Sequence, residues 1–446
     1  MRKGGHAMAT PTRTEQLPQN IGPDKRQPDS IHNFLLMPFA FCYDHTSNFI
    51  HSLYPHHLAA PPLIHKFIVI ASLAMMLLLL LAAIIIPTVI TCAPSAKRSV
   101  KLPDVDTFHR QNGTKWRIEY IGDIKFTGSL GKLGLGGDKC RSSFLGGRHI
   151  WNCGDMMCVT WDKCGFSMGA AFYGTKSVSV IDATAHSNIG DYTFASPWHG
   201  DPKPEPPQSQ YGMDTSNVVP INDTTGIAYV WEITRGAPDG SYYDKGAGVV
   251  AVTLGKTQPI ATRVGPLLTG PGSVGLGIFA IIRAQQYIYN YNQQGPFGNI
   301  LVGRVKAGDA VFDASRYEYL VFPPDNKTSP VWKRGIPKAE NAAQYGMRTA
   351  ESDGRFACQP YGSVIWSNYF QKYMLMCTLY LHYTFFYLAP NPWGPWTRGY
   401  NLLPGDSGWS GYGVSAHPRY STKDNELYFS QGPSGPLNMF KLTFHY

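Results

Sequence analysis

Short hydrophobic segments separated by turn residues run through most of the chain after residue 115. They are apolar or alternate between apolar and polar positions, and they lack the spacing of a long amphipathic helix. The segments are residues 118–126, 226–234, 248–254, 274–282, 286–291, 299–305, 317–322, 363–365, 373–383, 427–430 and 439–444. Turns such as Pro238-Asp239-Gly240 and Gly270-Pro271-Gly272 separate them. The pattern predicts an all-β domain over residues 108–446.

Pairs of these segments form a weak repeat in which one strand is followed, after a short turn, by a second. The pairs are 278–291 with 298–305, 362–366 with 372–383, and 417–420 with 426–430. A domain of about 340 residues divides into about five units of four short strands, and such units repeated around an axis form a propeller. A β-sandwich usually needs fewer residues, and a parallel β-helix has a tighter period. We therefore predict a five-bladed β-propeller.

Residues 67–90 have a different pattern, because none of them is charged and they include leucine at 77–81 and isoleucine at 84–86. An apolar stretch of about 20 residues spans a bilayer, whereas a soluble helix of this length would show a polar face. We predict a single transmembrane or signal-anchor helix within residues 64–92. Residues 1–63 are predicted to be a disordered tail, and residues 93–107 a linker with a dibasic pair, Lys97-Arg98, at which the domain could be released.

Two opposing signals in the sequence bear on which side of the membrane the C-terminal domain lies. Lys97, Arg98 and Lys101 after the apolar segment, against Lys66 before it, would place the domain in the cytosol. Six of the eight cysteines and three N-x-[ST] sequons, at Asn112, Asn222 and Asn326, lie after the segment and favour an extracytoplasmic domain. Large domains also translocate with little regard for nearby charge. We expect a type II membrane protein with an extracellular C-terminal domain, or a protein secreted after cleavage.

Composition excludes several other classes. At 13% aromatic and 15% charged residues, the chain is too aromatic for a disordered protein and too poor in charge for a coiled coil. The net charge of +9 is diffuse, with no block of five basic residues, so no nucleic-acid partner is predicted. His56-His57 has no cysteine or acidic residue at ligand spacing. We therefore predict neither a metal site nor a cofactor.

Several motifs occur in a fixed order along residues 120–446. They are Gly137-Asp138-Lys139-Cys140, Trp151-Asn152-Cys153-Gly154-Asp155, Ser363-Val364-Ile365-Trp366-Ser367-Asn368 with Tyr373-Met374-Leu375-Met376, Pro390-Asn391-Pro392-Trp393-Gly394-Pro395-Trp396, and Ala416-His417-Pro418 with Glu426-Leu427-Tyr428-Phe429. Together they resemble the domain of unknown function 4185. This is a five-bladed, glycoside-hydrolase-like family that includes bacterial endo-D-arabinanases. The resemblance implies hydrolysis of a cell-surface or cell-wall polysaccharide, with arabinan-like furanosides as the expected substrate.

The resemblance also implies that Asp138 and Asp155 are the catalytic pair. In glycoside hydrolysis one carboxylic acid protonates the leaving oxygen, and a second carboxylate activates water or attacks the sugar. A short hairpin between the two aspartates would bring both to the same rim of the propeller. The alternative is that each aspartate only completes a turn.

Five further residues are candidates for substrate binding: Trp231, Glu232, Trp366, Asn368 and His417. Tryptophan faces suit sugar rings and amides suit hydroxyl groups, while a third acid such as Glu232 could tune a pKa. We expect His417 to begin the inner strand of the last blade and to point into the central pocket. The alternatives are an exposed strand glutamate, a core tryptophan and a structural histidine.

The cysteines surround the two aspartates in a way that departs from the family. The candidates for disulfides are Cys140, Cys153, Cys158, Cys164, Cys358 and Cys377. A bond between Cys140 and Cys153 would tie together the strands that carry the acids, but the pairing of six cysteines does not follow from sequence alone. The alternative function is a non-catalytic extracellular propeller that binds glycan or protein. A purely structural wall protein is a third possibility.

Overall fold

The computed structural model describes residues 115–159, 161–201, 210–235, 243–322, 329–359, 361–379, 383–403, 411–432 and 436–445. The tail, the apolar segment, the Lys97-Arg98 pair, Asn112 and Asn326 lie outside these residues. Within the described ranges, no helix is long and apolar enough to cross a membrane.

The regular structure is almost entirely β, as predicted. In chain order the strands are β1 (Lys115–Asp123), β2 (Lys125–Phe126), β3 (Gly136–Gly137), β4 (Cys140–Leu145), β5 (Arg148–Cys153), β6 (Met156–Met157), β7 (Phe166–Ser167), β8 (Ala170–Gly174), β9 (Val180–Asp182), β10 (Gln210–Thr215), β11 (Val219–Pro220), β12 (Gly226–Arg235), β13 (Tyr243–Leu254), β14 (Pro259–Arg263), β15 (Ala280–Ala284), β16 (Tyr287–Gln293), β17 (Ile300–Lys306), β18 (Glu318–Val321), β19 (Val331–Arg334), β20 (Gly362–Ser367), β21 (Lys372–Leu379), β22 (Tyr383–Ala389), β23 (Tyr400–Leu403), β24 (Ser415–Ala416), β25 (Glu426–Gln431) and β26 (Asn438–His445).

Helical structure in the described residues is limited to single turns. An α-helix, α1, covers Gly128–Lys132. The 3-10 turns are Trp161–Lys163, Ile189–Tyr192, Asp309–Phe312, Ala314–Arg316, Ala339–Gln344 and Pro418–Tyr420.

Five sheets of four or five strands make up the domain, and we call them blades I to V. Blade I has the order β2-β9-β8-β5-β4, and blade II has the order β10-β12-β13-β14 with β11 also on β12. Blades III and IV are β15 to β19 and β20 to β23 in sequence order, and blade V is β1-β26-β25-β24. A small sheet of β3, β6 and β7 accompanies blade I.

The innermost strands of the blades form a closed ring. β4 contacts β11, β11 contacts β15, β15 contacts β20, β20 contacts β24, and β24 returns to β4. We call this the inner ring, and we call its two openings the N-terminal mouth and the C-terminal mouth, after the strand ends that lie there. Blades arranged radially around such a ring make a five-bladed β-propeller.

The circle of five blades is completed in blade V, where the first described strand pairs with the last. β1 runs antiparallel to β26, with Trp116 opposite Phe444 and Ile118 opposite Leu442. These four side chains are buried, so the strands are held by apolar packing as well as by hydrogen bonds. Blade V therefore combines chain from both ends of the domain.

The hydrophobic core lies between the faces of neighbouring blades. One buried cluster joins blades I and II through Ile150 and Val250, and another joins blades II and III through Tyr229 and Leu301. Similar clusters join blade III to IV, IV to V, and V to I. Each large apolar side chain buried in this way contributes roughly 1.5–3 kcal/mol, so the blades stabilise one another by contact.

Three disulfides are formed in the described residues. They join Cys140 to Cys153, Cys158 to Cys164 and Cys358 to Cys377. The first links directly opposite residues of β4 and β5. All six candidate cysteines are therefore paired with a near neighbour in the sequence.

Three details of the strand prediction were wrong. Residues 274–279 are not strand, because β15 begins only at Ala280. Residues 417–420 are not a strand, because β24 ends at Ala416 and Pro418 begins a 3-10 turn. His417 therefore follows the inner strand of blade V instead of beginning it. The apolar run 373–383 is not one strand, because β21 ends at Leu379 and Tyr383 already belongs to β22.

Candidate functional site

Charged side chains are concentrated at the N-terminal mouth of the inner ring. We call the following group the axial cluster: Asp138, Lys139, Arg141, Asp155, Asp214, Arg235, Tyr361 and Tyr412. Its members come from blades I, II, IV and V. They act electrostatically on one another's pKa values, so they share one local environment.

The β4–β5 hairpin brings Asp138 and Asp155 together. The backbone N–H of Asp138 donates to the carbonyl of Asp155 at 2.9 Å. The hairpin turns at Gly146-Gly147, where both glycines have positive φ, a conformation that suits a tight two-residue turn. The two aspartates thus lie side by side where the inner strand of blade I begins.

Two ion pairs connect blade I to blade II within the cluster. Asp155 Oδ2 lies 2.5 Å from Arg235 Nη1, and Lys139 Nζ lies 2.6 Å from Asp214 Oδ2. The Lys139 ammonium also sits 3.7 Å from the centroid of the Tyr361 ring. Lys139 is only 4% exposed, so its charge depends on these partners because water does not reach it.

Arg141 crosses the inside of the ring. Its guanidinium donates to the carbonyl of Thr215 in blade II and to the carbonyl of Ile278, which precedes blade III, each at 2.5 Å. Lys139 and Arg141 flank the buried Cys140, as alternation along a strand requires. The Arg141 side chain therefore lies between the two mouths.

Burial and the nearby charge of Asp138 raise the pKa of Asp155, while Arg235 acts in the opposite direction. A carboxyl group with a raised pKa retains its proton more readily and can act as a general acid. Burial also raises the pKa of Tyr361 and of Tyr412, so both phenols remain neutral hydrogen-bond donors. The cluster thus combines paired carboxyl groups with neutral hydroxyls, a set suited to acid–base chemistry on a polyol.

Trp231 and Glu232 lie on β12 and are engaged within blade II. Glu232 is 1% exposed and accepts from Arg263 Nη1 at 2.8 Å, and Asp201 lies 3.2 Å from the same nitrogen. Burial and Asp201 raise the pKa of Glu232 to about 7, against the influence of Arg263. Trp231 Nε1 donates to Asp244. In the described structure Glu232 thus faces the blade interior, and it does not join the axial cluster.

His417 lies in the protein interior and is fully buried. Its Nδ1 is 2.7 Å from Ser142 Oγ and its Nε2 is 2.9 Å from Ser430 Oγ, and its ring centroid lies 4.6 Å from that of Trp151. Burial lowers the pKa of His417 to about 3, so the imidazole is neutral. These contacts are those of a structural histidine between blades I and V.

Trp366 and Asn368 lie at the C-terminal mouth, opposite the axial cluster. β20 runs from one mouth to the other, beginning just after Tyr361 and ending at Ser367. Six residues of strand cover roughly 20 Å. The structure therefore separates these two candidates from Asp138 and Asp155.

Sequence reasoning missed most of the axial cluster. Asp214 and Arg235 come from blade II, and only the pairing of blades brings them to Asp138 and Asp155. Lys139 and Arg141 had a usable signal, because they alternate with Cys140 on a predicted hairpin. Among the residues that the structure describes, no group of three His, Cys, Asp or Glu side chains could hold a metal ion.

Comparison with solved structures finds propeller enzymes at low sequence identity. A Bacteroides ovatus protein described as a candidate hydrolase matches at a TM-score of 0.48 and 13% identity, over 73% of this chain and 87% of that one. An exo-β-1,3-galactanase of Phanerochaete chrysosporium matches at a TM-score of 0.42 and 10% identity, over 74% and 64%. A GH43_1 enzyme of Xanthomonas citri matches at a TM-score of 0.41 and 14% identity, over 73% and 90%.

No protein-family model and no curated protein matches the chain. The function proposed below rests on this chain's own side chains.

Proposed function

We propose that this chain is a glycoside hydrolase that cleaves a cell-surface or cell-wall polysaccharide, with arabinan-like furanosides as the first class to test. The observation that carries the proposal is the juxtaposition of Asp138 and Asp155 at the N-terminal mouth of the inner ring. Paired carboxyl groups at one rim are what hydrolysis of a glycosidic bond requires. The motif resemblance to an arabinanase-containing family supports the same choice.

In this proposal Asp155 is the general acid. Burial and the charge of Asp138 favour its protonated form, so it can donate a proton to the glycosidic oxygen. Once the proton has left, the new carboxylate is stabilised by Arg235 at 2.5 Å. Asp138 then acts as the carboxylate that activates water or attacks the anomeric carbon.

Tyr361 and Tyr412 are proposed to orient the sugar. Both phenols are neutral because burial raises their pKa values. A neutral phenol can donate a hydrogen bond to a hydroxyl or ring oxygen. Since the two residues precede the inner strands of blades IV and V, they face the aspartates of blade I across the mouth.

We also propose that the propeller works outside the cytosol, anchored through residues 67–90 or released at Lys97-Arg98. Three disulfides support this, because such bonds persist in oxidising compartments. Asn222 supports it as well, since this sequon lies exposed on the turn between β11 and β12.

The test is sugar release by the purified full-length chain from arabinans, galactans and fungal-type wall glycans. Asp138→Asn and Asp155→Asn should each lower the rate by about 10²–10⁴-fold. Asp309→Asn, which changes an exposed aspartate of blade III, should leave the rate unchanged. Full activity in both site variants would contradict the assignment of the acids.

One observation favours the second candidate, a propeller that binds glycan without cleaving it. Two of the three carboxylates in the axial cluster are each held by a cation, Asp155 by Arg235 and Asp214 by Lys139. Such pairing suits a preorganised binding surface. Binding without sugar release, retained in both Asn variants, would establish this function and overturn the hydrolase.

A further inference from the structure

The C-terminal mouth of the inner ring contains a cavity of about 600 Å³. It is built from the ends of β4, β11, β15 and β20 and from residues that follow β24. Arg141, held by the carbonyls of Thr215 and Ile278, lines the cavity and lies between it and the rest of the axial cluster. A cavity of this volume accommodates a ligand of one to three sugar rings.

Two large aromatic side chains stand exposed in this cavity. Trp366 from blade IV is 41% exposed and Phe144 from blade I is 37% exposed. The Trp366 ring is held in place by an edge contact with Tyr373, at 5.0 Å between centroids. Exposed aromatic faces in a concave site mark a surface made for a ligand with an apolar face.

The charge of the cavity is positive. Arg283 and Arg419 line it and are exposed, and none of the described residues that line it is Asp or Glu. Arg283 Nη1 donates to the carbonyls of Pro220 and Ile221, which fixes the guanidinium and leaves Nε and Nη2 for a ligand. A guanidinium fixed in this way matches the two oxygens of a carboxylate.

We propose that the C-terminal mouth binds an anionic saccharide, with a sugar ring against Trp366 or Phe144 and a uronic-acid carboxylate on Arg283 and Arg419. The site shares only Arg141 with the axial cluster, and it functions whether or not the N-terminal mouth is catalytic. It would hold the propeller on an acidic glycan while the other mouth faces outward.

The experiment measures binding of tetragalacturonic acid and of neutral β-galactotetraose to the purified full-length chain by titration calorimetry. The acidic probe should bind at least about ten-fold more tightly. Arg283→Gln with Arg419→Gln, and separately Trp366→Ala, should each weaken its binding at least about ten-fold.

Arg334→Gln is the matched control. Arg334 is also exposed and also donates to a backbone carbonyl, that of Ser315, but it does not line the cavity. The single variant Arg419→Gln controls for misfolding of the double variant. In the described structure the Arg419 side chain makes no hydrogen bond to a backbone carbonyl, whereas that of Arg283 makes two. Equal affinity for the two probes, or unchanged affinity in the double arginine variant, overturns the proposal. Displacement of the probe by inorganic phosphate at the same molar concentration also overturns it, since the site would then select an anion without the sugar.

Discussion

The two mouths of the inner ring differ in whether their charged side chains are paired with one another. At the N-terminal mouth three acids lie among two bases, and ion pairs join the buried Lys139 to Asp214 and the partly exposed Arg235 to Asp155. At the C-terminal mouth Arg283 and Arg419 are exposed, and no described lining residue is acidic. In the first arrangement the charges are paired with one another, whereas the second leaves its charge available to a ligand.

The largest effect is expected when the ion pair between Lys139 and Asp214 at the N-terminal mouth is broken. Asp214→Ala removes the partner of the buried Lys139 ammonium, at 4% exposure of that side chain. Because an unpaired buried charge is costly, we expect a loss of about 3 kcal/mol in the free energy of unfolding. Denaturant unfolding measures it.

A double variant separates the charge effect from simple loss of contacts. Lys139→Met combined with Asp214→Leu removes both charges and keeps apolar bulk, so it should recover at least half of the lost stability. The single variant Asp309→Ala, at an exposed aspartate, should change stability by no more than about 0.5 kcal/mol. A double variant as unstable as Asp214→Ala would show that the pair is not acting through its charge.

A second prediction extends the comparison to a charge group inside blade II. Arg263 forms ion pairs with both Glu232 and Asp201, and the pKa of Glu232 is raised to about 7. The folded state then binds a proton on Glu232 that the unfolded state releases near pH 4.5. The contribution of Glu232 to the free energy of unfolding is therefore full below that pH and is lost as the pH rises through about 7. We expect a decline of about 2 kcal/mol between pH 5 and pH 8.

Glu232→Gln should remove that part of the decline, because the amide does not titrate. Unfolding curves at several pH values, recorded for both proteins, measure the difference. A parallel decline in the variant would assign the pH dependence to other groups.

A third prediction concerns the proposed acid. Arg235 lowers the pKa of Asp155, so Arg235→Gln should raise that pKa further. Since the protonated form of Asp155 is the active one, the rate falls as pH rises through its pKa, and the descending limb of the pH–rate profile should move to higher pH. A limb that stays in place, or that moves to lower pH, would contradict the role of Asp155 as the acid.

The smallest effect is expected at the C-terminal mouth. Arg419 is exposed, and its guanidinium carbon lies 6.0 Å from the centroid of the Phe144 ring. Arg419→Gln should therefore change the free energy of unfolding by no more than about 0.5 kcal/mol. A loss as large as that of Asp214→Ala would remove the distinction between the two mouths.

The sequence predicted the blades better than it predicted the charged cluster. Short apolar segments identified β12, β16 and β17, which are buried on both faces over most of their length, and partial alternation identified β26. The pattern failed at β21 and β22, where apolar residues continue up to and beyond the turn. It failed again at residues 417–420, where Pro418 starts a 3-10 turn.

For the candidate site, the sequence predicted only contacts between residues that are close in sequence. Asp138 and Asp155 belong to one hairpin, so their proximity follows from local geometry. Arg235 reaches Asp155 only because blade II packs on blade I, which no short pattern reports. The sequence indicated Trp366 as a substrate-binding residue because tryptophan faces suit sugar rings, but the length of β20 carries it to the mouth opposite Asp138 and Asp155.

The pairing of β1 with β26 also makes the fold sensitive to whether blade V has been synthesised. Until residues 438–445 leave the ribosome, β1 and β25 have no partner between them in blade V, and their unpaired edges are open to other chains. A product that stops at blade IV would lack β24, β25 and β26, so β1 would have no partner and the apolar faces of Trp116 and Ile118 would be exposed. The β1–β26 pair thus acts as a check on blade V, since only a chain that contains β26 can hide these apolar surfaces.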